Sequence, residues 1–358
     1  MNSHFYPMKN RLLLLTLIIS SLFTLNAQEN LIWKFKTGDF VYSTPLIHEN
    51  TIYIGSGDHN FYCLDRKTGK MNWQFETDGA IHSSPCIYED LVFFGSDDGN
   101  FYALNRISGD LAWKYESDGE KSYDLWDYYR SSPAAAGDLI YWGCGDGIVY
   151  AIAWNSGKLV WKFKTGDVVH ASPVISNGRV YIGGFDGFFY ALNAENGDLI
   201  WKFNTVGAQY FPDGAVQKAA LVEEEAIYFG SRDYNIYALD AETGKGRWNM
   251  REIRGWIIAT PLSYEGKLYF GTSDSHLFYC MDKNNGAILW QIHVPMRVYG
   301  AAVAHNNLIY FGCFDGKVYG IDPDTGKTKW EFQTASDQDY YKVFDENGGF
   351  NKEFQLYG

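Results

Sequence analysis

Residues 65–98, DRKTGKMNWQFETDGAIHSSPCIYEDLVFFGSDD, contain the pattern that decides the fold, because variations of it recur along most of the chain. Aligning the copies on their tryptophan gives successive spacings of 40, 40, 48, 40, 47, 42 and 40 residues. A period near 40 residues with several short strands per period is typical of a propeller or a solenoid. The tryptophans that we interpret as structural anchors of the copies are Trp33, Trp73, Trp113, Trp161, Trp201, Trp248, Trp290 and Trp330.

Each copy contains four short segments that favour β-strand. In the second copy they read HSSPCIYE, LVFFGSDD, NFYALN and LAWKYES, and all are rich in β-branched and aromatic residues and bounded by turn residues. A glycine four residues before each tryptophan except Trp33 fits a hairpin that needs positive φ. These glycines are Gly69, Gly109, Gly157, Gly197, Gly244, Gly286 and Gly326. The sequence therefore predicts an all-β fold, a β-propeller of four-stranded antiparallel blades.

The number of blades depends on the two ends of the chain. Seven complete copies are preceded by LIWKFKT at residues 31–37, which reads as a fourth strand without a blade of its own. Residues 335–358 form a tail in which 340–357 read as one hairpin around Asn347. We favour seven complete blades plus an incomplete eighth, and the alternative is a ring of seven blades with an extra strand. In either case residues 28–334 form one propeller domain.

The first 27 residues read as a secretory signal peptide rather than as part of the fold. Lys9 and Arg11 precede an apolar run from Leu12 to Leu25, and Ala27 provides a small residue for cleavage. The run is too short for a typical membrane span. We therefore expect a protein exported to a bacterial periplasm or beyond, with no transmembrane segment after cleavage.

Composition excludes several function classes. The formal net charge of −13 disfavours a nucleic-acid partner, because no basic stripe is present to release counterions from phosphates. The eight histidines show no paired ligand spacing, so we predict no zinc site. The five cysteines fall at equivalent places in different copies or alone, where the blades hold them too far apart for disulfides.

The residues at the start of each copy form a candidate site. Each first strand is expected to open with two small residues, such as Ser83 and Ser84, because the innermost strands converge on the axis. One position earlier the residues are polar or aromatic in six copies of seven, and none is acidic. Equivalent positions of a propeller form a ring, so we predict a channel mouth that favours a small anion or a carboxylate through Arg130 and Lys218. The predicted ligand or partner residues are Tyr42, His82, Arg130, His170, Lys218 and Tyr299, with Ile258 in the remaining copy.

Two copies carry insertions, near residues 118–129 and 207–217. Both precede a first strand, so both are expected to emerge on the same face of the ring. Loops on a rigid scaffold frequently carry function. The aromatic residues predicted to form a contact surface there are Tyr123, Trp126, Tyr128, Tyr210 and Phe211.

The repeat resembles that of the pyrroloquinoline quinone (PQQ)-type propeller family. The resemblance covers residues 31–334 and rests on D-x-x-T-G-K-x-x-W, present at 65–73, 240–248 and 322–330, followed by S-S-P, Y-x-G-S-x-D-G and Y-A-L-D. The family contains quinoprotein alcohol and glucose dehydrogenases with eight blades, and BamB-like periplasmic proteins that help to insert outer-membrane β-barrels. The resemblance implies the fold firmly and allows either function.

The resemblance favours the non-enzymatic branch. Quinoprotein dehydrogenases of the family stack PQQ on a disulfide between adjacent cysteines and hold calcium with Glu, Asn and Asp, whereas no two cysteines are adjacent here. No catalytic constellation is readable either. We therefore expect no catalytic residue, cofactor or metal, and an envelope scaffold with protein partners in outer-membrane assembly. The alternatives are a PQQ- and calcium-dependent dehydrogenase and a propeller that binds a small ligand or carbohydrate.

Overall fold

The computed structural model describes residues 31–124, 127–223 and 225–334. Within them the regular structure consists of strands, which form seven four-stranded antiparallel sheets arranged as the blades of a ring. In every sheet the four strands are consecutive in sequence and each pairs with the next. The predicted β-propeller is confirmed. The signal peptide predicted at 1–27, the tail hairpin predicted at 340–357 and Trp126 lie outside the described residues.

The strands of the first four blades follow the repeat. Blade 1 contains β1 (Leu46–His48), β2 (Thr51–Gly55), β3 (Asn60–Asp65) and β4 (Met71–Glu76). Blade 2 contains β5 (Cys86–Tyr88), β6 (Leu91–Gly95), β7 (Asn100–Asn105) and β8 (Leu111–Glu116). Blade 3 contains β9 (Ala134–Ala136), β10 (Leu139–Gly143), β11 (Ile148–Ala153) and β12 (Leu159–Lys164). Blade 4 contains β13 (Val174–Ser176), β14 (Arg179–Gly183), β15 (Phe188–Asn193) and β16 (Leu199–Asn204).

The remaining three blades complete the described ring. Blade 5 contains β17 (Leu221–Val222), β18 (Ala226–Gly230), β19 (Asn235–Asp240) and β20 (Gly246–Arg251). Blade 6 contains β21 (Leu262–Tyr264), β22 (Lys267–Gly271), β23 (Leu277–Asp282) and β24 (Ile288–His293). Blade 7 contains β25 (Val303–His305), β26 (Leu308–Cys313), β27 (Lys317–Ile321) and β28 (Thr328–Gln333). The first strands begin after the small residues, not at them as expected.

Aromatic rings fill the wedges between neighbouring blades. Phe101 of blade 2 stacks on Trp142 of blade 3 at 5.0 Å between ring centroids, and both side chains are buried. The same contact joins Phe61 to Phe94 at 4.2 Å. Because each aromatic residue buries a large apolar area, these contacts hold one blade against the next.

In six of the seven described blades, the aspartate of the turn after the second strand makes a bond that the sequence did not indicate. The Asp98 carboxylate accepts a hydrogen bond from the Asn100 N–H at 2.9 Å, as expected for a turn aspartate. Its other oxygen accepts a bond from the Tyr102 hydroxyl at 2.7 Å. Five further blades contain the same Asp–Tyr pair, as with Asp58 and Tyr62. The repeated tyrosine of the third strand therefore fixes the repeated turn.

The hairpin glycines pack on the tryptophan of the preceding blade. Gly109 has a φ of 78°, and a Cβ added there would lie 2.7 Å from Cδ2 of Trp73. All seven hairpin glycines have positive φ, which confirms the prediction from their spacing. The repeat therefore needs glycine here for two separate reasons, backbone conformation and space.

These two reasons are separable by mutation. Gly178 also has positive φ, at 70°, but no atom lies within 4 Å of its added Cβ. We expect Gly178→Ala to lower the free energy of unfolding by about 1 kcal/mol, which is the cost of the left-handed backbone alone. Gly109→Ala should cost about 1–3 kcal/mol more, because Trp73 must move. Urea denaturation measures both, and equal losses would contradict the packing role of Gly109.

The segment 31–37 lies where the outer strand of a preceding blade would lie. The Trp33 Nε1–H donates to the Arg66 carbonyl at 2.8 Å, and Gly69 packs on the Trp33 ring. The Trp161 Nε1–H makes the same bond to the Ala194 carbonyl of the next blade. The segment therefore contacts blade 1 as the fourth strand of a preceding blade would. The incomplete eighth blade to which it would belong stays a prediction.

The cysteines are free thiols in the described structure. Four of the five are buried, and burial raises the pKa of the Cys63 thiol to about 11. Among the same residues, the structure contains no helix of the length and hydropathy that a membrane span requires.

Candidate functional site

The small residues around the axis link neighbouring blades. The Thr44 N–H donates to the Ser84 hydroxyl at 2.8 Å, and the Ser84 N–H donates to the Ser132 hydroxyl at 3.0 Å. The Ser132 N–H continues the series to the Ser172 hydroxyl at 2.9 Å. The sequence indicated only that small residues fit near the axis. These bonds also set the relative positions of the residues that precede them, which are the residues of the predicted mouth.

Arg130 is buried at the centre of a group of acidic side chains. Its Nε lies 3.0 Å from Asp97 Oδ1 and 3.4 Å from Glu120 Oε1. Its Nη2–H donates to the Ser122 hydroxyl at 2.6 Å. Carboxylates of the chain itself therefore pair with the Arg130 guanidinium, which the sequence analysis predicted to bind an external anion.

His170 belongs to the same group, and its side chain is fully buried. Its Nδ1 lies 2.9 Å from Asp127 Oδ1, and its Nε2 lies 2.5 Å from Glu120 Oε1. Burial lowers the pKa of His170, but the hydrogen bonds to Asp127 and Glu120 outweigh it and raise the pKa above 6.5. We call Asp97, Glu120, Asp127, Arg130 and His170 the mouth cluster.

The raised pKa predicts a pH-dependent stability. Below about pH 6.5 His170 is charged in both the folded and the unfolded chain, and its ion pairs contribute fully. As the pH rises through the folded-state pKa, that contribution is lost. We expect the difference in free energy of unfolding between the native protein and His170→Gln to shrink as the pH rises above 6.5, because the pKa of His170 is raised above that value in the folded chain. Urea denaturation at several pH values measures this difference, and a constant difference would contradict the assignment.

Arg232 forms a second buried ion pair, which the sequence did not reveal. Its Nη1 lies 2.6 Å from Asp124 Oδ2, and its Nε–H donates to Gln217 Oε1 at 3.1 Å. The guanidinium also lies 4.9 Å from the ring centroid of Phe185 and 4.7 Å from that of Trp256. The sequence did contain a signal for these residues. The position immediately before the repeated turn aspartate varies between copies, and it is occupied by Arg232, Phe185 and Asp97 in three of them.

Lys218 is positioned differently from the other cations. Its Nζ lies 3.1 Å from the ring centroid of Tyr129, and no ion pair involves it among the described residues. The side chain is half-buried. Burial lowers the pKa of Lys218 to about 7, because the ammonium loses hydration without gaining a carboxylate.

The remaining ring positions form an aromatic and apolar group. Tyr42 stacks on Tyr128 at 5.5 Å, and its ring edge meets His82 at 5.2 Å. His82 Nδ1 lies 3.2 Å from Asp97 Oδ2. On the other side, Tyr299 and Ile258 are buried in one apolar cluster with Trp256. The structure thus brings all of the predicted mouth residues to one region, with the charged and the aromatic side chains partly segregated.

Some aromatic side chains of the predicted contact loops pack against the ring, and others are exposed. Tyr123 packs on Phe185 at 4.9 Å between centroids and remains 41% exposed. Phe211 meets Trp256 edge to face at 4.8 Å, whereas Tyr210 is 76% exposed. Tyr128 faces Tyr42, as described above. Among the described residues of this prediction, Tyr210 and Tyr123 are therefore the exposed ones.

The insertion at 118–129 supplies most of the acidic partners of the mouth, and Asp97 in the turn after β6 supplies the other. Glu120 and Asp127 contact His170, and Asp124 contacts Arg232. Arg130, His170 and Arg232 are thus buried cations that pair with carboxylates of the same chain. Within the described ranges, no group of three or more His, Cys, Asp or Glu side chains has the geometry to hold a metal ion.

The sequence profile of the family described as outer membrane protein assembly factor BamB matches residues 21–216, 129–250 and 190–343. These overlapping matches cover most of the chain. The chain belongs to the BamB family of PQQ-repeat proteins. The membership confirms the resemblance that the repeat motifs indicated.

Individual relatives include both a BamB and quinoprotein dehydrogenases. BamB from Moraxella catarrhalis superposes with a TM-score of 0.65 at 18% identity, covering 82% of this chain and 83% of its own. A europium-containing methanol dehydrogenase superposes with a TM-score of 0.72 at 15% identity, covering 87% of this chain and 82% of its own. Identities this low show the shared fold alone.

A relative detected from sequence is the quinoprotein alcohol dehydrogenase PedH of Pseudomonas putida. It is 31% identical over 94 residues. The aligned stretch covers 24% of this chain and only 16% of PedH. The sequence similarity to PedH is therefore confined to a part of each chain.

Proposed function

We propose that the protein is a non-enzymatic scaffold of the cell envelope that binds a component of the outer-membrane protein assembly machinery. It would work in the periplasm, and family membership together with the signal peptide predicted at residues 1–27 supports this location. Membership of the BamB family supports the kind of partner. The distribution of exposed apolar side chains supports the binding face.

The exposed apolar side chains on the connections between blades are the observation that carries this proposal. A connection from a fourth strand to the next first strand opens on one face of the ring, because the four strands alternate in direction. On these connections Tyr210 is 76% exposed, Val206 68% and Ile253 86%. Phe40 and Tyr123, on other connections of that face, are 55% and 41% exposed. Exposed apolar residues gathered on one face are typical of a protein-binding surface.

The residues of the mouth fit PQQ poorly, and we propose that the chain works without this cofactor or calcium. PQQ is a planar polycarboxylate, so its site needs several cations that are free to pair with it. Of the mouth cations described above, only Lys218 lacks a carboxylate partner among the described residues. Arg130 and His170 are instead paired with Glu120, within 3.4 Å and 2.5 Å. Binding PQQ would require breaking these buried ion pairs, which is costly when charges lose their partners.

Site-specific photo-crosslinking tests the proposed face. A photoreactive amino acid placed at Tyr210 or Ile253 in the full chain, expressed in its own cells, should crosslink to a component of the outer-membrane assembly machinery. Ile107 is the matched control, because it is 73% exposed but lies on a turn between third and fourth strands, on the opposite face. It should give no such product.

Two outcomes would overturn the proposal. One is a crosslink from Ile107 that equals those from Tyr210 and Ile253, since binding would then not depend on the face. The other is a product whose partner, identified by mass spectrometry, lies outside the envelope assembly machinery. Tyr210→Asp should weaken the Ile253 crosslink without changing the melting temperature, because Tyr210 is an exposed side chain.

A further inference from the structure

Residues 31–37 have the sequence of a fourth strand, but they pair with no other strand of the described structure. Their backbone N–H and C=O groups make no hydrogen bond within the described residues. In each of the seven blades the corresponding segment pairs with a third strand, as β8 does with β7. Ile32 is 84% exposed, whereas Ile200 and Leu289, at the same place in complete blades, are 41% and 49% exposed. The edge that would receive a third strand is therefore open.

Contacts to blade 1 nevertheless hold this segment in position. The Trp33 Nε1–H donates to the Arg66 carbonyl at 2.8 Å. Phe35 meets the Tyr62 ring edge to face, at 5.2 Å between ring centroids. Because the segment is already ordered, a strand that pairs with it avoids part of the usual entropy cost of binding.

Blade 7, at the other end of the described ring, leaves room beside the segment. In six blades a Cβ added to the repeated glycine of the second strand would meet the next blade, as Gly271 would meet Val298 at 2.3 Å. No described atom lies within 4 Å of a Cβ added to Gly312, the corresponding residue of blade 7. Val303 of the same blade is 59% exposed. Since the blades form a ring, this uncovered side of blade 7 is turned toward residues 31–37.

The register of the complete blades specifies which strand would fit the open edge. The position opposite the residue after each repeated tryptophan is always tyrosine, as Tyr102 is opposite Lys114. The next position along is always apolar, as Phe101 is opposite Tyr115. Directly opposite residues of an antiparallel pair lie close enough to limit each other's size. The residues opposite the tryptophans themselves are all small, namely Cys63, Ala103, Ala151, Ala191, Ala238, Cys280 and Gly320.

We propose that residues 31–37 are a docking edge for an extended segment of another protein, which adds to it as an antiparallel strand. In the register of the complete blades, the added strand places a small residue opposite Trp33, a tyrosine opposite Lys34 and an apolar residue opposite Phe35. Main-chain hydrogen bonds supply the affinity of such strand addition, and the side-chain pattern supplies its specificity.

The donor of this strand is a different protein rather than a second folded copy. Each third strand of this chain, such as β7, already pairs on both of its edges. A folded copy therefore has no third strand to offer. The proposal does not rest on the scaffold function proposed above, because it concerns a different surface.

Binding of a synthetic peptide to the native full chain tests the docking edge. The probe is fluorescein-labelled DDGNFYALNR, residues 97–106 of this chain, which contains the required apolar residue, tyrosine and alanine in order. The control peptide carries Ala103→Trp, which places a large residue opposite Trp33. Fluorescence anisotropy should show saturable binding of one probe per chain. The control should bind at least about tenfold more weakly, because an overpacked site does not accommodate the extra ring.

Disulfide crosslinking tests the register independently. A peptide carrying Tyr102→Cys should form a disulfide with the variant Lys34→Cys, because directly opposite residues approach the distance that a disulfide needs. Lys36→Cys is the matched control, since it is equally exposed and lies two residues further along the same face. It should not crosslink, and the native chain gives the background from its five cysteines. Neither substitution should change the melting temperature, because both side chains are exposed.

Three results would overturn the proposal. The first is the absence of probe binding to the folded full chain, and the second is equal binding of the probe and the Ala103→Trp peptide. The third is binding to a variant that ends at Thr334 but not to the full chain, because the occupant of the edge would then be the chain's own tail.

Discussion

Asp127→Asn should lower the free energy of unfolding by about 3–5 kcal/mol, because it leaves buried cations without one of their anions. The Asp127 side chain has no solvent exposure, and it contacts both His170 and Arg130. It also accepts a hydrogen bond from the Tyr123 N–H at 2.8 Å. The substitution therefore removes an anion that both neutralises the mouth and holds the insertion loop. Urea denaturation measures the loss.

The matched control is an ion pair at the surface. Asp324 pairs with Lys267 at 2.6 Å, but its side chain is 73% exposed. Asp324→Asn should change the free energy of unfolding by less than about 1 kcal/mol, as is usual for exposed pairs. A loss for Asp127→Asn no larger than that of the control would mean that the buried pairs do not stabilise the mouth.

Trp161→Ala should lower the free energy of unfolding by about 3–5 kcal/mol, which is typical of deleting a buried tryptophan. Trp161 is 7% exposed, and its Nε1–H donates to the Ala194 carbonyl at 2.9 Å in the next blade. Gly197 of that blade packs directly on its ring. The residue therefore joins two blades by burial and by a hydrogen bond.

Trp161→Phe separates these two contributions. It keeps an aromatic ring and loses the hydrogen bond, so we expect a loss of roughly 1–2 kcal/mol. Ile107→Ala serves as the surface control, because Ile107 is 73% exposed, and it should change stability by less than about 0.5 kcal/mol. If Trp161→Ala destabilised no more than Ile107→Ala, the tryptophan would not be an anchor between blades.

The fold could be predicted from the repeat, because every copy contains the same strand and turn signals at the same spacing. The glycine before each tryptophan, such as Gly109, appears at a fixed spacing and has the expected positive φ. The bonds between Asp98 and Tyr102 repeat as well, yet the aspartate alone was explained by its turn. Such a side-chain pair can be seen only in the structure, where the third strand runs back past the turn and brings Tyr102 next to Asp98, four residues earlier.

Most of the acidic partners in the site could not be predicted, because they come from a segment that does not repeat. Glu120 and Asp127 lie 50 and 43 residues before His170, and no periodicity links them to it. Arg232 and Asp124 are 108 residues apart. The sequence therefore indicated the cations of the mouth but not that the insertion neutralises them. It also missed the hydroxyl series around the axis, for which size alone was a sufficient explanation.

The claim that the chain's own acids occupy the mouth is tested most directly by titrating the purified protein with PQQ and calcium in a calorimeter. The account predicts no saturable binding, because Arg130 and His170 already have carboxylate partners at 3.0 Å and 2.5 Å. Saturable binding accompanied by oxidation of an alcohol would contradict it, and the chain would then be a compact quinoprotein. As a control, the same titration is carried out with Asp127→Asn, in which one acid of the mouth cluster is removed. It shows whether a PQQ site exists but is blocked by that acid.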